Sequence, residues 1–261
     1  MKRLATAIAA IALIGTPAVA ADLARKMPVK APPPPPPAPV YSWTGCYIGG
    51  NVGPGWGRNQ VTGFQLAPGF DAGSVTGTGV VGGGQIGCDY QWANWVFGVQ
   101  GMFDGSDVKG DFSPNGAHGG PNPLGFSTNE RLGFKIHWFD TLTARLGYAV
   151  VPQALLYVKG GAAWAHVAYS DNDPTFAGIG VFGNGSANPN GWTIGGGLEY
   201  AFLPNWSVFV EYNFMDFGSR NVTIVYNNNL FINPFTYTEK QNLQTVLFGL
   251  NYRFNWLAGR W

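Results

Sequence analysis

From Trp43 onward, apolar and polar residues alternate with a period of two in eight stretches, at roughly 43–56, 78–91, 94–104, 131–148, 154–169, 190–202, 205–217 and 243–254. Alternation of this kind places successive side chains on opposite faces of a β-strand. In 205–217, Trp206, Val208, Val210, Tyr212 and Phe214 fall on one face, and Ser207, Phe209, Glu211, Asn213 and Met215 on the other. The last stretch repeats this: Val246, Phe248, Leu250, Tyr252 and Phe254 alternate with Thr245, Leu247, Gly249, Asn251 and Arg253. In 94–104, Trp95, Phe97, Val99 and Phe103 alternate with Val96, Gly98, Gln100 and Asp104. Each stretch sets an apolar face against a mixed one.

The connections carry a second signal. Segments 57–77, 105–130, 170–189 and 218–242 are long and rich in Gly, Asn, Pro and Asp, whereas 92–93, 149–153 and 203–204 are short. Long and short connections alternate strictly, as they do in a membrane barrel with extended external loops and tight periplasmic turns. An even strand number returns both chain ends to the periplasmic side. In hydrocarbon every backbone N–H and C=O must bond internally, so the sheet must close. The predicted fold is all-β: an eight-stranded antiparallel up-and-down transmembrane β-barrel. The soluble alternative is a lipocalin-like barrel, with apolar residues inside and polar ones outside. An export signal, the aromatic density and the loop rhythm favour the membrane reading.

Composition agrees. Charged residues make up 11% of the 261 residues, against about 25% in soluble domains. Aromatics reach 15%, and glycine is the commonest residue, with 39 copies. Much of the outside therefore faces something other than water. The net charge is +1, and no basic block or stacking platform points to nucleic acid. After the first twenty residues no apolar run approaches the ~18 residues of a transmembrane helix. Lys2 and Arg3, the apolar run Leu4 to Gly15, and Ala18-Val19-Ala20 read as a secretory signal cleaved after Ala20. The expected organisation is a signal peptide over 1–20, a periplasmic leader over 21–40 and a barrel over 41–261. The proline run Pro32 to Pro37 favours extended polyproline II and makes the leader a spacer.

Five charges fall on the face expected to point inward: Arg145, Lys159, Glu199, Glu211 and Arg253. An eight-stranded barrel is only just wide enough for its own side chains, and an isolated buried charge is very costly. The five are expected to form a paired network that plugs the lumen; the alternative is a narrow ion path, since lumen charges tune selectivity. Aromatics recur at segment ends, at Trp43, Tyr90, Trp92, Trp95, Trp138, Trp192, Tyr200, Trp206 and Tyr252. Such rings form a girdle at the lipid–water interface. Pairing Cys46 with Cys88 also pairs Ile48 with Ile86 and Gly50 with Gly84, with both cysteines on one face. They are expected either as a cross-strand disulfide or, where sheet geometry strains the bond, as thiols. Neither has a CxxC partner, so zinc and redox centres are not indicated. The glycine-rich stretches 77–87 and 195–197 lie in strands, where they thin the wall for close packing. No catalytic motif and no cofactor or metal set appears. The best enzyme candidate is His166 with Ser170 and Asp171 at the outer rim.

Several stretches resemble a known family. They are Trp43-Thr44-Gly45-Cys46-Tyr47-Ile48-Gly49-Gly50-Asn51-Val52-Gly53, the run from Trp138 to Tyr148 (WFDTLTARLGY), the run from Leu155 to Trp164 (LLYVKGGAAW), the run from Gly191 to Tyr200 (GWTIGGGLEY), and Gly249-Leu250-Asn251-Tyr252-Arg253-Phe254. As a set they are similar to the outer-membrane immunogenic, porin-like proteins of α-proteobacteria, which share the OmpA-type eight-stranded barrel. The resemblance covers nearly all of 41–254. It implies an abundant outer-membrane surface protein with structural and host-contact roles, called a porin without good proof of a channel. The partners implied are outer-membrane lipid and lipopolysaccharide, the barrel assembly machinery, and host or environmental surfaces. Haem binding is suggested for some relatives, and no residue here would carry it. Two features depart from the family. An aromatic usually stands where Cys46 does, so the disulfide is not inherited. The chain also continues past Phe254 to Trp261, and either aromatic fits the terminal signal that the assembly machinery reads.

Overall fold

The computed structural model describes residues 41–64, 73–113, 130–174, 180–227 and 234–254. The signal peptide, the leader and Trp261 lie outside the described residues. Nine strands follow in chain order: β1 (Gly45–Phe64), β2 (Gly73–Trp92), β3 (Trp95–Phe112), β4 (Arg131–Val151), β5 (Ala154–Asp173), β6 (Val181–Ala187), β7 (Asn190–Leu203), β8 (Trp206–Tyr226) and β9 (Phe235–Phe254). All pairings are antiparallel, and β1 pairs with both β2 and β9, so the sheet closes on itself. Both β6 and β7 run against β5 in one continuous register, with Val167 opposite Ala187 and Trp164 opposite Asn190. They are therefore one wall strand interrupted at Asn188 and Pro189, and the ring has eight positions. Proline has no N–H for the ladder, which accounts for the interruption at this point.

The three short connections, at 93–94, 152–153 and 204–205, gather at one end with residues 41–45 and Phe254. At the other end the strands run further than the alternation suggests. The described parts of 57–77, 105–130, 170–189 and 218–242, expected as loops, are mostly ladder. Their polar, glycine-rich composition reflects an outer face in water.

The outward face carries a continuous apolar band that includes Ile48, Ile86, Val99, Leu142, Val158, Ile194, Val210 and Phe248. Aromatic rings bound it. Tyr90, Trp92, Trp95, Tyr200 and Trp206 are exposed at the short-turn end, and Trp56, Phe103, Trp164 and Trp192 at the other. On β4 the two belts are represented by Tyr148 and Trp138. A strand segment of about ten residues, at ~3.3 Å per residue and ~40° tilt, spans about 25 Å, the height of a bilayer-facing band.

Above the outer belt the pattern inverts. Val61, Val108, Leu132, Phe134, Ile136, Val167, Val222, Ile224 and Leu243 are buried inside, while Arg58, Lys109, Arg131, Asn221 and Lys240 face out. The external end is built like a soluble barrel, with an apolar core. Three irregularities sit near this level, one of them on β3 between Gly105 and Val108. β4 has a bulge between Ile136 and Trp138, and β8 shifts register between Asp216 and Ser219. At the latter, Gly218 has φ +67, a conformation that glycine adopts without steric penalty.

Candidate functional site

The barrel interior below the external core is filled by polar side chains in contact with one another. Odd-numbered positions of β4, β5, β7, β8 and β9 point inward here, which brings Arg145, Lys159, Glu199, Glu211 and Arg253 into the lumen, each buried. Lys159 Nζ lies 2.6 Å from Glu211 Oε1 and donates to Gln100 Oε1 at 2.8 Å. The other Glu211 oxygen accepts from the Tyr157 hydroxyl at 2.8 Å, and Asn213 Nδ2 donates to Oε1 at 2.9 Å. Arg145 is paired with Glu199, and its guanidinium sits 3.7 Å from the centre of the Tyr157 ring. Glu199 also accepts from Ser207 Oγ at 2.5 Å and Asn251 Nδ2 at 3.0 Å. Tyr157 thus joins the Lys159–Glu211 pair to the Arg145–Glu199 pair.

The sequence reading missed one member. Asp89 is buried and lies 2.9 Å from Arg253 Nη2 and 3.6 Å from Arg145 Nη1. With it the cluster holds three carboxylates and three cations, whose formal charges cancel, and a fourth buried carboxylate, Asp104, faces the lumen farther along β3. The signal was available: Asp89 neighbours Cys88 and has the opposite parity, so a cysteine facing out places this carboxylate inside. Small residues make room for the large ones. A Cβ on Gly98 would come within 2.0 Å of Asp89 Oδ1, and one on Gly87 within 2.5 Å of the Tyr47 hydroxyl.

Trp43 corrects the girdle. It is fully buried inside the periplasmic mouth, where its position is in phase with inward-facing Tyr47. The indole Nε1 donates to the Pro152 carbonyl at 3.0 Å, and the backbone N donates to Gln91 Oε1 at 2.8 Å. The Arg253 guanidinium lies 5.3 Å above its ring. Val96, Ala149, Leu155, Tyr157 and Ala201 complete this apolar layer. The remaining girdle residues are on the outer wall. Trp92, Trp95, Trp206 and Tyr252 stand at the periplasmic belt, with edge-to-face pairs Trp95–Tyr148 at 5.2 Å and Trp206–Tyr252 at 5.0 Å. Trp138 and Trp192 stand at the outer one. Cys46 and Cys88 face each other across β1 and β2 and are joined by a disulfide.

In the external core, Glu239 accepts from Asn59 Nδ2 at 2.8 Å. Burial pushes its carboxyl up to about 7, against smaller opposing effects of hydrogen bonds from Tyr169 and Asn59. Asp171 is likewise raised, chiefly by burial, and accepts from the Tyr226 hydroxyl at 2.6 Å. His166 lies on the outer wall with Nδ1 2.7 Å from Asn188 Oδ1, whereas Asp171 points into the core. The rim candidate His166, Ser170 and Asp171 is therefore divided by the barrel wall. Among the described residues no group of three or more His, Cys, Asp or Glu side chains converges as a metal site.

The sequence model of the outer membrane protein beta-barrel domain matches residues 6–254. The chain is 35% identical over 256 residues to the 31 kDa outer-membrane immunogenic protein of Brucella melitensis, covering 93% of this chain and 96% of that one. It is 25% identical over 257 residues to the 25 kDa outer-membrane immunogenic protein of Brucella abortus, covering 97% and 99%. Among solved structures, the outer membrane protease OmpT of Escherichia coli aligns with a TM-score of 0.48 at 12% identity, over 84% of this chain and 99% of that one. The major outer membrane protein of Thermus thermophilus aligns with a TM-score of 0.47 at 14% identity, over 79% and 99%.

Proposed function

The chain belongs to the outer membrane protein beta-barrel family, and from that premise we propose that it is a closed structural barrel of the bacterial surface, with no catalytic role. It contributes to envelope integrity and presents its external end to host or environmental surfaces. Outer-membrane lipid, lipopolysaccharide and the assembly machinery are its standing partners, and the leader over 21–40 serves as a periplasmic spacer. One observation carries this reading: the neutral, buried layer of Asp89, Arg145, Lys159, Glu199, Glu211 and Arg253. A charge layer whose members are paired has little to offer a passing ion, and an ion path would require breaking pairs that are costly to break. The experiment is planar-bilayer recording of the refolded chain, wild type and Glu211→Ala. The expected result is no reproducible wild-type channel. Reproducible wild-type channels whose conductance changes in Glu211→Ala would replace this reading with that of a low-conductance porin.

A further inference from the structure

The two irregularities of the wall next to β5 leave a recess on the outer surface. On one side the β4 bulge turns both His137 and Trp138 outward, with Trp138 opposite His166. On the other side the ladder between β5 and its neighbour stops after the Trp164–Asn190 pair and resumes only at Val167 and Ala187. The chain at Asn188 and Pro189 holds on by a single backbone bond, Ala165 N to the Pro189 carbonyl at 3.0 Å. The resulting groove has a volume of about 340 Å³ and is lined by Trp138, Asp140, Trp164, Ala165, Asn188 and Pro189.

Three features define what fits. The groove lies at the outer aromatic belt, below the polar exterior of the external extensions, so its occupant reaches it from the membrane surface. Its walls are aromatic: Trp164 is 39% exposed, and Trp138 is braced by Phe103 at 5.8 Å and His166 at 5.9 Å between ring centres. Its polar groups are a carboxylate and a carboxamide, and none of the lining side chains is a lysine or arginine. An acyl chain alone would leave the Asp140 carboxylate and the amide N–H groups of Asn188 facing hydrocarbon, which is costly. A phosphate would meet the negative charge of Asp140 with no cation beside it. A sugar ring satisfies both requirements, because its C–H face lies against an aromatic face, and its hydroxyls donate to the Asp140 carboxylate and accept from the Asn188 amide N–H.

We propose that this groove holds the uncharged sugar headgroup of an outer-leaflet glycolipid, stacked on Trp164 and hydrogen-bonded by Asp140 and Asn188. The His166–Asn188 contact at 2.7 Å positions the carboxamide. The site is on the outer wall and does not depend on whether the lumen is closed.

The test uses the refolded chain in lipid nanodiscs of phosphatidylglycerol doped in parallel with dephosphorylated or phosphorylated lipid A, with retained lipids counted by native mass spectrometry. Wild type is expected to keep one glycolipid in preference to phospholipid. Trp164→Leu and Asp140→Asn are each expected to reduce that retention about ten-fold, the loss of one good contact. Trp56→Leu, in the same belt on β1, is expected to retain glycolipid like wild type. Heat-modifiable gel migration verifies folding of each variant, and should Trp164→Leu fail to fold, Asp140→Asn decides. Equal retention by wild type and the groove variants, or phospholipid held as firmly as glycolipid, overturns the proposal. Retention only of the phosphorylated glycolipid overturns it as well.

Discussion

At the scale of single residues, position parity decides most of what the lumen contains. Arg145, Lys159, Glu199, Glu211 and Arg253 could be assigned inward because each alternates with lipid-facing apolar neighbours. Asp89 escaped notice because its stretch is dominated by glycine, which gives alternation little contrast. Trp43 misled for a different reason: an aromatic at a strand end fits a girdle, and only the ring's direction distinguishes girdle from plug. Glu239 was invisible as a special carboxylate, since it lies in a segment read as loop. Its raised pKa has a consequence that can be measured. The folded state holds a proton on Glu239 between about 4.5 and about 7, where the unfolded chain has lost it. Stability is therefore greatest below the unfolded value, falls as pH rises through that window, and levels off above about 7. The difference is on the order of 2–3 kcal/mol. Glu239→Gln should remove it, so that urea-unfolding midpoints in detergent at pH 5 and pH 8 converge in the variant. Asp171, raised in the same sense, leaves a residual slope. Identical pH dependence in wild type and variant would show that Glu239 does not carry the effect.

At the scale of elements, the membrane-spanning parts of the strands were legible and their external extensions were not. Between the belts a strand must show an apolar outer face, so its signature stands out. Beyond the outer belt both surroundings change: the outside is water and the inside is a core, and the apolar positions, even-numbered on β4 throughout, change phase from outward to inward. Leu132, Phe134 and Ile136 alternate with Arg131, Gly133 and Lys135, yet they belong to the same strand as the lipid-facing Leu142 and Leu146. The phase change is accommodated by the bulge at His137 on β4, and β8 has its own register shift at Phe217–Gly218. That second shift faces the interruption between β6 and β7, where Arg220 on β8 donates to the Asn190 carbonyl at 2.7 Å across the unpaired stretch. Gly218 makes the shift without strain at φ +67, and nothing crowds the position where a Cβ would stand. Gly218→Ala is thus a clean test of backbone conformation alone. It should destabilise the barrel by about 1 kcal/mol, read from urea unfolding, while Gly218→Asn should cost less because asparagine tolerates this region. An alanine variant as stable as wild type would mean that the register shift relaxes and the glycine is not required.

At the scale of the whole molecule, three layers of side chains follow one another inside the barrel, and on the proposed reading each is a closure. Trp43 and its neighbours are packed at the periplasmic mouth, the ion-pair layer lies in the middle, and the apolar core lies at the external end. Each closure arises from a different balance: aromatic packing, electrostatic pairing and ordinary hydrophobic burial. Closures in series have a testable property, because a path opens only when the last of them fails. Stability and permeability should therefore separate. Trp43→Ala removes a large, fully buried ring and is expected to lower the unfolding free energy by about 3–5 kcal/mol, since the site also loses the contact beneath Arg253. Phe134→Ala in the external core should cost a similar amount for the same reason. Neither variant should conduct in planar bilayers, because in each the ion-pair layer and one apolar layer remain. If Trp43→Ala alone produced steady channels, the periplasmic layer would be the only effective seal, and the charges above it would line a path that Trp43 merely stoppers. The middle layer is isolated only in the double variant Trp43→Ala/Phe134→Ala: if it stays silent, the network blocks ions by itself, and if it conducts, the apolar layers are the seals.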